Sequence, residues 1–323
     1  MKRILVFPVG VFLTISLVHG QHDFDVVIAQ PGDGIFSILR KQGLDPAKYY
    51  QDFVELNIDD IRNGSELHVG KTYKVPNAPD SFKNMARYVL LTDQTEVPIF
   101  DAELASLTLK SDKLGNAVYY LISEDGQAGN KFTAQVVINL AKELMVNGAK
   151  VYVLTKAKVA GNLSNFPNGQ NTLSKAEEMP LDNINNLQQY VDAVNKRYLK
   201  NRGSYQRLLV IRANGLTTSK TLNVSVYHHK SSSSGEKFAE NIKNAFQGYR
   251  IQQDIQKSPQ VFAHKNNLFL AKNALPTLTL VEVADSSRRT QSKISVKSDK
   301  KAITDWLANG MLKDYADLQI NED

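Results

Sequence analysis

From about residue 118 onward, short apolar runs alternate with longer segments whose apolar residues recur at helical spacing. The runs typical of buried strands are 118–122, 151–154, 208–211, 222–227 and 278–283, and the helical segments are 132–147, 185–200, 235–246 and 300–312. Strands that alternate with helices favour parallel pairing, because each helix carries the chain back across a sheet. The pattern therefore predicts an α/β fold with a mostly parallel sheet flanked by helices.

The composition excludes several classes of protein. The chain has no cysteine, so disulfides, thiolate zinc sites and a cysteine nucleophile are ruled out. With 42% hydrophobic and 22% charged residues it has enough apolar material for a core, so collagen-like, coiled-coil and wholly disordered chains are excluded. The net charge of +6 is mild and is not gathered into a long run of like charges, so no nucleic-acid partner is expected.

The N-terminus has the pattern of a secretory signal peptide. Lys2 and Arg3 precede a largely apolar run over 4–18, and Gly20 offers a small residue for cleavage. The alternative is an uncleaved anchor, but the run is short for the ~30 Å of a bilayer core and contains Pro8. Residues 1–20 are therefore predicted to be a signal peptide, and the mature chain an exported protein of the periplasm or cell envelope without a membrane anchor.

Residues 24–76 are predicted to form a small strand–helix–helix–strand unit. A strand over 25–29 is followed by a Pro-Gly turn and by a short helix that ends at Gly43, a residue suited to a left-handed cap. Asp45 is placed to cap a second helix, and 67–75 closes the unit as a second strand before Pro76.

This unit resembles a LysM domain. The resemblance is carried by Val27, Pro31-Gly32-Asp33-Gly34-Ile35, Ile38, Leu56-Asn57, Leu67, Gly70 and Tyr73-Lys-Val-Pro76, and it spans the whole unit. It implies binding of glycans that contain N-acetylglucosamine, so peptidoglycan strands are the expected partner.

The resemblance also indicates where the glycan would lie, in a shallow groove between the loops 32–36 and 61–67. The candidate glycan-binding residues are Gly32, Asp33, Gly34, Ile35, Ile61, Asn63 and Leu67. Glycine lets the backbone come close to a sugar. For Asp33 the favoured alternative is a structural one, a helix cap that accepts hydrogen bonds from the backbone amides that follow it.

A second resemblance follows a predicted connector over 77–117. From about residue 86 the chain resembles the zinc-dependent N-acetylmuramoyl-L-alanine amidases, in the form found behind a LysM module in secreted proteins of Bacteroidetes. The matching segments are 118–123, 140–144, 148–153, 180–182, 206–214, 226–228, 268–270, 280–282 and 305–310. The resemblance implies an amidase-like domain over 118–320 and an ancestral activity that cuts glycan from stem peptide.

The family's zinc ligands, two histidines and a glutamate, fall on Asp125, Lys131 and Arg212, and its catalytic glutamate falls on Glu282. Lysine and arginine offer no lone pair to a metal at neutral pH, so the zinc site is predicted to be lost and no cofactor is expected. Lys131 and Arg212 are instead expected to form an ion-pair cluster with Glu124, Asp125 and Glu282. The alternative is that these charges face solvent.

The sequence thus favours an exported peptidoglycan-binding protein whose amidase-like domain is inactive, a pseudoenzyme. It would act as a wall binder, a scaffold or a regulator, with an active amidase or an envelope protein as candidate partners. The first alternative is an active N-acetylmuramoyl-L-alanine amidase with rewired ligands, for example Asp125, His228 and Glu282. The second alternative is an adaptor in an envelope assembly, for which glycan binding is incidental.

Overall fold

The computed structural model describes residues 24–76, 84–100, 109–125, 132–156, 184–214, 220–248, 258–285 and 294–319, with the single positions 78, 81, 104, 107, 216 and 250. The predicted signal peptide lies outside these residues. None of the helices in the described ranges is long and apolar enough to cross a membrane.

The small N-terminal unit has the predicted order of elements. Its elements are β1 (Phe24–Ile28), α1 (Ile35–Lys41), α2 (Pro46–Leu56) and β2 (Thr72–Pro76), and β1 pairs antiparallel with β2. Gly43 has a φ of 78°, which confirms the left-handed position after α1. The Asp45 carboxylate accepts from the amide of Ala47 at 2.9 Å, which confirms the cap of α2.

Asn57 joins the end of α2 to β2. Its side-chain amide donates to the carbonyls of Phe53 (2.8 Å) and Lys74 (2.7 Å), and its Oδ1 accepts from the Lys74 amide at 2.7 Å. Asn57 is buried, so these three bonds satisfy both ends of a side chain that would otherwise be costly to bury.

The core of the small unit continues past its last strand. Ala78 is buried and packs with Ile38, Leu39, Phe53 and other apolar side chains of the unit. The Ser81 hydroxyl donates to the carbonyl of Gln42 at 3.3 Å. Residues beyond the predicted boundary at 76 therefore contribute to this unit.

The rest of the described chain is built on one large sheet, with strand order β11-β8-β10-β7-β5-β6-β3-β4 and β9 beside β8. The strands are β3 (Ala86–Leu90), β4 (Glu96–Pro98), β5 (Ala117–Asp125), β6 (Lys150–Thr155), β7 (Tyr205–Asn214), β8 (Thr221–His228), β9 (Gln260–Val261), β10 (Thr277–Asp285) and β11 (Ile294–Lys297). The five central strands β10, β7, β5, β6 and β3 are parallel neighbours, whereas β8, β11 and β4 are antiparallel. The predicted α/β class with a mostly parallel sheet is confirmed.

Part of the predicted connector 77–117 belongs to this sheet. Val89 of β3 pairs in parallel register with Leu154 of β6, and β4 folds back antiparallel on β3. The large sheet therefore begins at residue 86 rather than at residue 118.

Helices cover both faces of the sheet. The helices of this part of the chain are α3 (Phe132–Val146), α4 (Ile184–Lys200), α5 (Ser233–Gln247), α6 (Lys265–Asn273) and α7 (Lys300–Gln319). Alternate residues of β5 separate the two cores: Tyr119 and Leu121 pack with α3, α5 and α7, whereas Tyr120 and Ile122 pack with α4 and α6. This alternation follows from the two-residue period of a strand.

Candidate functional site

Three charged residues form a row where the parallel strands β5, β7 and β10 end. Glu124 on β5 lies opposite Arg212 on β7, and Arg212 lies opposite Glu282 on β10. Residues in register on neighbouring strands share a face. The row therefore has the charge order negative, positive, negative, and it lies on the face covered by α4 and α6.

The guanidinium of Arg212 is held by two partners. Its Nε donates to Oε2 of Glu124 at 2.6 Å, and its Nη2 donates to Oδ1 of Asn267 on α6 at 3.0 Å. The Arg212 and Glu124 side chains are 19% and 14% exposed, so the pair is shielded from most of the solvent. A planar guanidinium with both edges engaged is fixed in direction as well as in place.

The predicted ion-pair cluster is thus present in part. The Arg212–Glu124 pair is formed, and the alternative in which Arg212 points into solvent is wrong. Lys131 lies outside the described residues. Asp125 ends β5 with its Cα in register with Ala213, but its side chain is not among those described.

Glu282 takes no part in the ion pair. Among the residues that the structure describes, its carboxylate has no hydrogen-bond donor and no cation within 4.0 Å. Its register neighbour on the other side is Ser225 of β8, and Tyr227 lies two residues further on the same face of β8. Glu282 is half-buried, so its carboxylate is partly shielded yet open to a ligand.

Tyr227 belongs to this group, although the sequence reasoning did not select it. Burial raises the pKa of Tyr227 above its usual value, and the nearby Glu282 carboxylate raises it further, while a hydrogen bond with Ser225 and the charge of Arg212 oppose the rise. The phenol is therefore protonated at neutral pH and can donate or accept a hydrogen bond beside Glu282.

The described residues do not fit a zinc site of the kind found in the amidases. Within the described ranges, no three histidine, cysteine, aspartate or glutamate side chains come together closely enough to hold a metal ion. Arg212 has no lone pair to offer, and its charge repels a divalent cation. The register places Glu124 and Glu282 on the strands to either side of Arg212.

The rewired ligand set of Asp125, His228 and Glu282 is wrong in one respect. His228 is three residues from Ser225, the register partner of Glu282, so His228 and Glu282 project from opposite faces of the sheet. The buried His228 ring instead contacts the carbonyl of His229 through Nδ1 at 3.1 Å. These two side chains cannot ligate one ion.

The candidate glycan-binding residues of the small unit differ in how far they are accessible to a ligand. Gly32, with a φ of 88°, has open space where a Cβ would stand, and the Gly34 and Gly64 positions are equally open. Ile61 and Leu67 are half-buried against the core, and Asn63 donates to the Glu66 carboxylate at 3.1 Å. Ile35 is only 3% exposed, so its side chain belongs to the core and offers no surface to a sugar.

Asp33 stabilises the loop in which it lies, through hydrogen bonds other than those of the predicted helix cap. Its carboxylate accepts from the Gln30 amide at 2.9 Å, from the Ser37 hydroxyl at 3.2 Å and from Lys41. The Gly34 amide is bonded by the Ser37 hydroxyl, so Asp33 binds preceding backbone and following side chains rather than the following amides. Its side chain is 4% exposed and fully engaged.

An aromatic pair of one exposed ring and one half-buried ring connects the two predicted glycan loops. Phe36 is 48% exposed, and its ring centroid is 5.3 Å from that of Tyr50 on α2. The Tyr50 hydroxyl lies 3.5 Å from the carbonyl of Gly64, in the loop 61–67. The loops 32–36 and 61–67 are therefore neighbours. The sequence reasoning placed Phe36 at the end of a loop but did not select Tyr50.

Comparison with solved structures gives weak likenesses. The CwlD amidase from Clostridioides difficile, solved in complex with the GerS lipoprotein, is 12% identical, with 62% of this chain and 98% of that chain covered and a TM-score of 0.38. The catalytic domain of CwlV, an N-acetylmuramoyl-L-alanine amidase from Bacillus (Paenibacillus) polymyxa var. colistinus, is 14% identical, with 61% and 98% covered and a TM-score of 0.35.

A metallo-carboxypeptidase from Burkholderia cenocepacia is similar to the same degree, with 10% identity, 65% and 60% covered and a TM-score of 0.36. No protein-family model and no curated relative matches the sequence. With TM-scores below 0.5, these likenesses carry no conclusion about function.

Proposed function

We propose that this chain is an exported peptidoglycan-binding protein whose amidase-like domain does not hydrolyse peptidoglycan. The small unit at residues 24–76 binds glycan strands, and the α/β domain serves as a scaffold or as a regulator of an active amidase or another envelope protein. The observation that carries the proposal is the Arg212–Glu124 ion pair at 2.6 Å, at the strand ends where the resemblance to amidases implies a metal ligand.

The chemistry of Arg212 supports the loss of hydrolysis. A zinc amidase depends on a metal that lowers the pKa of bound water and polarises the amide carbonyl. In this chain the guanidinium of Arg212 lies at the strand ends. It supplies positive charge, but it cannot coordinate a water molecule and lower the pKa of that water. The guanidinium can neutralise the Glu124 carboxylate, but it cannot perform the step that the metal performs.

The Phe36–Tyr50 pair supports glycan binding. N-acetyl sugars combine apolar ring faces with amide groups, and a suitable site offers exposed aromatic surface beside accessible backbone. Phe36 supplies the exposed ring, and the open positions at Gly32 and Gly34 leave the adjacent backbone accessible.

Co-sedimentation with purified sacculi tests the glycan-binding half of this proposal. The purified chain is expected to sediment with sacculi, and Phe36→Ala is expected to reduce the bound fraction several-fold. Val26→Ala is the control, because Val26 is also an exposed apolar residue, at 65%, on β1 of the same unit. Failure of the wild-type chain to sediment, or an equal loss for both variants, would count against a glycan site at Phe36.

The alternative of an active amidase is favoured by one observation: a half-buried carboxylate, Glu282, lies at the position that the resemblance assigns to the family's catalytic glutamate. Metal analysis of the purified chain, together with an assay for released stem peptides, distinguishes an active amidase from an inactive domain. Stoichiometric zinc with hydrolysis that is lost in Glu282→Gln supports the alternative. Absence of both from a preparation that binds sacculi supports the inactive domain.

A further inference from the structure

The chain that leaves the small unit stays attached to it as far as Ser81. Ala78 is buried in the core of the unit, and the Ser81 hydroxyl donates to the carbonyl of Gln42, at the end of α1. Ser81 is only 5% exposed, and its amide donates to the Ala78 carbonyl at 3.0 Å. Ser81 is therefore held through its backbone and its side chain, and it belongs to the small unit.

The large domain begins four residues after Ser81. Met85 packs against the core that the sheet forms with α3, α5 and α7, and its carbonyl accepts from the amide of Val151 on β6. Asn84 is bonded to the first strand of the sheet, because its Oδ1 accepts from Nη1 of Arg87 at 2.7 Å. Asn84 therefore belongs to the large domain.

The contacts of Arg87 extend from β3 to a helix of the large domain. Nη2 of Arg87 donates to the carbonyl of Glu96 on β4 at 3.3 Å, and Oε1 of Glu96 lies 2.9 Å from Nε of Arg197 on α4. The Arg197 side chain is 3% exposed, so β4 and α4 are joined away from most of the solvent. Asn84 is thus bonded to a firmly anchored part of the domain.

The two anchors are bonded directly to each other. The Asn84 amide donates to the Ser81 carbonyl at 2.8 Å, a hydrogen bond from i+3 to i of the kind that closes a turn. Only positions 82 and 83 separate the two residues in sequence. A flexible linker needs more residues than this, because its reach grows with the square root of its length.

We propose that Ala78, Ser81 and Asn84 form a fixed joint, and that the small unit and the large domain move as one rigid body. Domains of one chain usually move relative to each other unless the contacts between them are extensive. Here the restraint comes from the connection itself, since each end of it is bonded to its own unit and the two ends are bonded to each other.

The joint determines where a ligand of the small unit lies relative to the large sheet. This consequence rests on the proposed function: a glycan strand bound beside Phe36 is held in one orientation toward the large domain. The joint itself does not depend on glycan binding, because it involves the end of α1 and not the loops 32–36 and 61–67. Its test needs no ligand, so the joint and the glycan site can fail separately.

The distance between two spin labels tests the joint. The chain has no cysteine, so Asp52→Cys on α2 and Lys196→Cys on α4, both exposed positions, can be labelled without other changes. Pulsed electron–electron double resonance on the purified chain is expected to give a single narrow distance distribution. The control pair is Lys196→Cys with Lys237→Cys on α5, which lies within the large domain, and the two distributions are expected to be equally wide.

A flexible insertion provides the comparison. Gly-Ser-Gly-Ser placed between residues 82 and 83 adds a reach of about 11 Å and is expected to widen the distribution between the units at least about twofold. The control pair is expected to keep its width in the insertion variant, because the large domain is unchanged.

Two results would overturn the joint. The first is a wild-type distribution between the units that is as broad as that of the insertion variant. The second is an insertion variant whose distribution is as narrow as that of the wild type, because the two units would then be held together by contacts elsewhere.

Discussion

Arg207 on β7 and Asp314 on α7 form a buried ion pair, with 3.1 Å between Nε and Oδ2 and with side chains that are 9% and 3% exposed. The Tyr205 hydroxyl and the Asn241 side-chain amide also donate to Asp314. The pair joins the C-terminal helix to the centre of the sheet, at the end opposite the candidate site.

Asp314→Asn is expected to lower the free energy of unfolding by about 3–5 kcal/mol, because it leaves the Arg207 guanidinium buried without a counter-charge. Urea denaturation measures the change. Asp305→Asn is the control: Asp305 pairs with Lys301 on the same helix, but both are exposed, and the midpoint is expected not to move measurably. An equal effect of the two variants would contradict the structural role of the buried pair.

Gly310→Ala is expected to destabilise the large domain. A Cβ at Gly310 on α7 would lie 2.7 Å from the Cα of Ile242 on α5, so the two helices would have to move apart. Alanine is the better helix former by about 1 kcal/mol, but overpacking of a close contact typically costs about 1–3 kcal/mol. The thermal midpoint of unfolding is expected to fall.

The control for this close approach is Gly248→Ala. Gly248 follows α5 with helical backbone angles, and a Cβ there meets no atom within 4 Å. Its midpoint is expected to stay the same or to rise slightly. A fall in Gly248→Ala but not in Gly310→Ala would show that the α5–α7 contact is looser than described.

Asp33 is expected to make the small unit sensitive to acid. Burial alone would raise the pKa of Asp33, but the hydrogen bonds from Lys41, Gln30 and Ser37 outweigh it and hold the pKa below the ordinary value of 3.8. A lowered pKa in the folded state gives a stabilisation that is fully present well above pH 3.8 and is lost as the pH falls through the folded-state pKa.

An NMR titration of the Asp33 carboxyl carbon measures that pKa directly. Lys41→Met is expected to raise it, since the largest lowering contribution is removed. Asp33→Asn is expected to flatten the acid limb of the stability curve, measured by urea midpoints at pH 5 and at pH 3. A titration at or above 3.8 in the wild-type chain would contradict the described contacts of Asp33.

Glu282→Gln is expected to lower the pKa of Tyr227. Burial is the main cause of the raised value, but the Glu282 carboxylate adds to it, and an amide of the same shape does not. The ring-carbon NMR signal of Tyr227 reports the titration. Tyr88 is the control. Burial alone raises the pKa of Tyr88 to about 12, and this pKa is expected to be the same in the wild-type chain and in Glu282→Gln.

Much of the architecture could be predicted because the relevant signals are local. The period of apolar residues indicated the strands β5, β6, β7, β8 and β10, and the cap at Asp45 follows from one residue and its neighbours. Helix α6 was missed, since its nine residues carry little periodic apolar pattern. The last helix runs to Gln319 rather than to residue 312, and Asp314 and Tyr315 in its added turns are buried against the domain.

The candidate site could be predicted only in part, since it depends on the register of distant strands. The sequence indicated that Arg212 and Glu282 lie at the ends of strands that meet at one edge of the sheet. It could not indicate that Arg212 pairs with Glu124, because that pairing depends on the direction of the Arg212 side chain. Asn267 and Tyr227 have no sequence signal of their own, because one lies on the missed helix and the other resembles an ordinary strand residue. Asp33 likewise accepts hydrogen bonds from Gln30, which precedes it in sequence, and from Ser37, which follows it, and a capping rule does not predict this combination.

The burial of Ala78 bears on how the small unit can be separated from the rest. A peptide that stops at Pro76 would lack the methyl group that closes one side of its interior, and Gln42 would lose the Ser81 hydroxyl that bonds its carbonyl. Excision of this module as an independent carbohydrate probe therefore requires a cut after Ser81. A shorter fragment would report on a weakened fold instead of on sugar recognition.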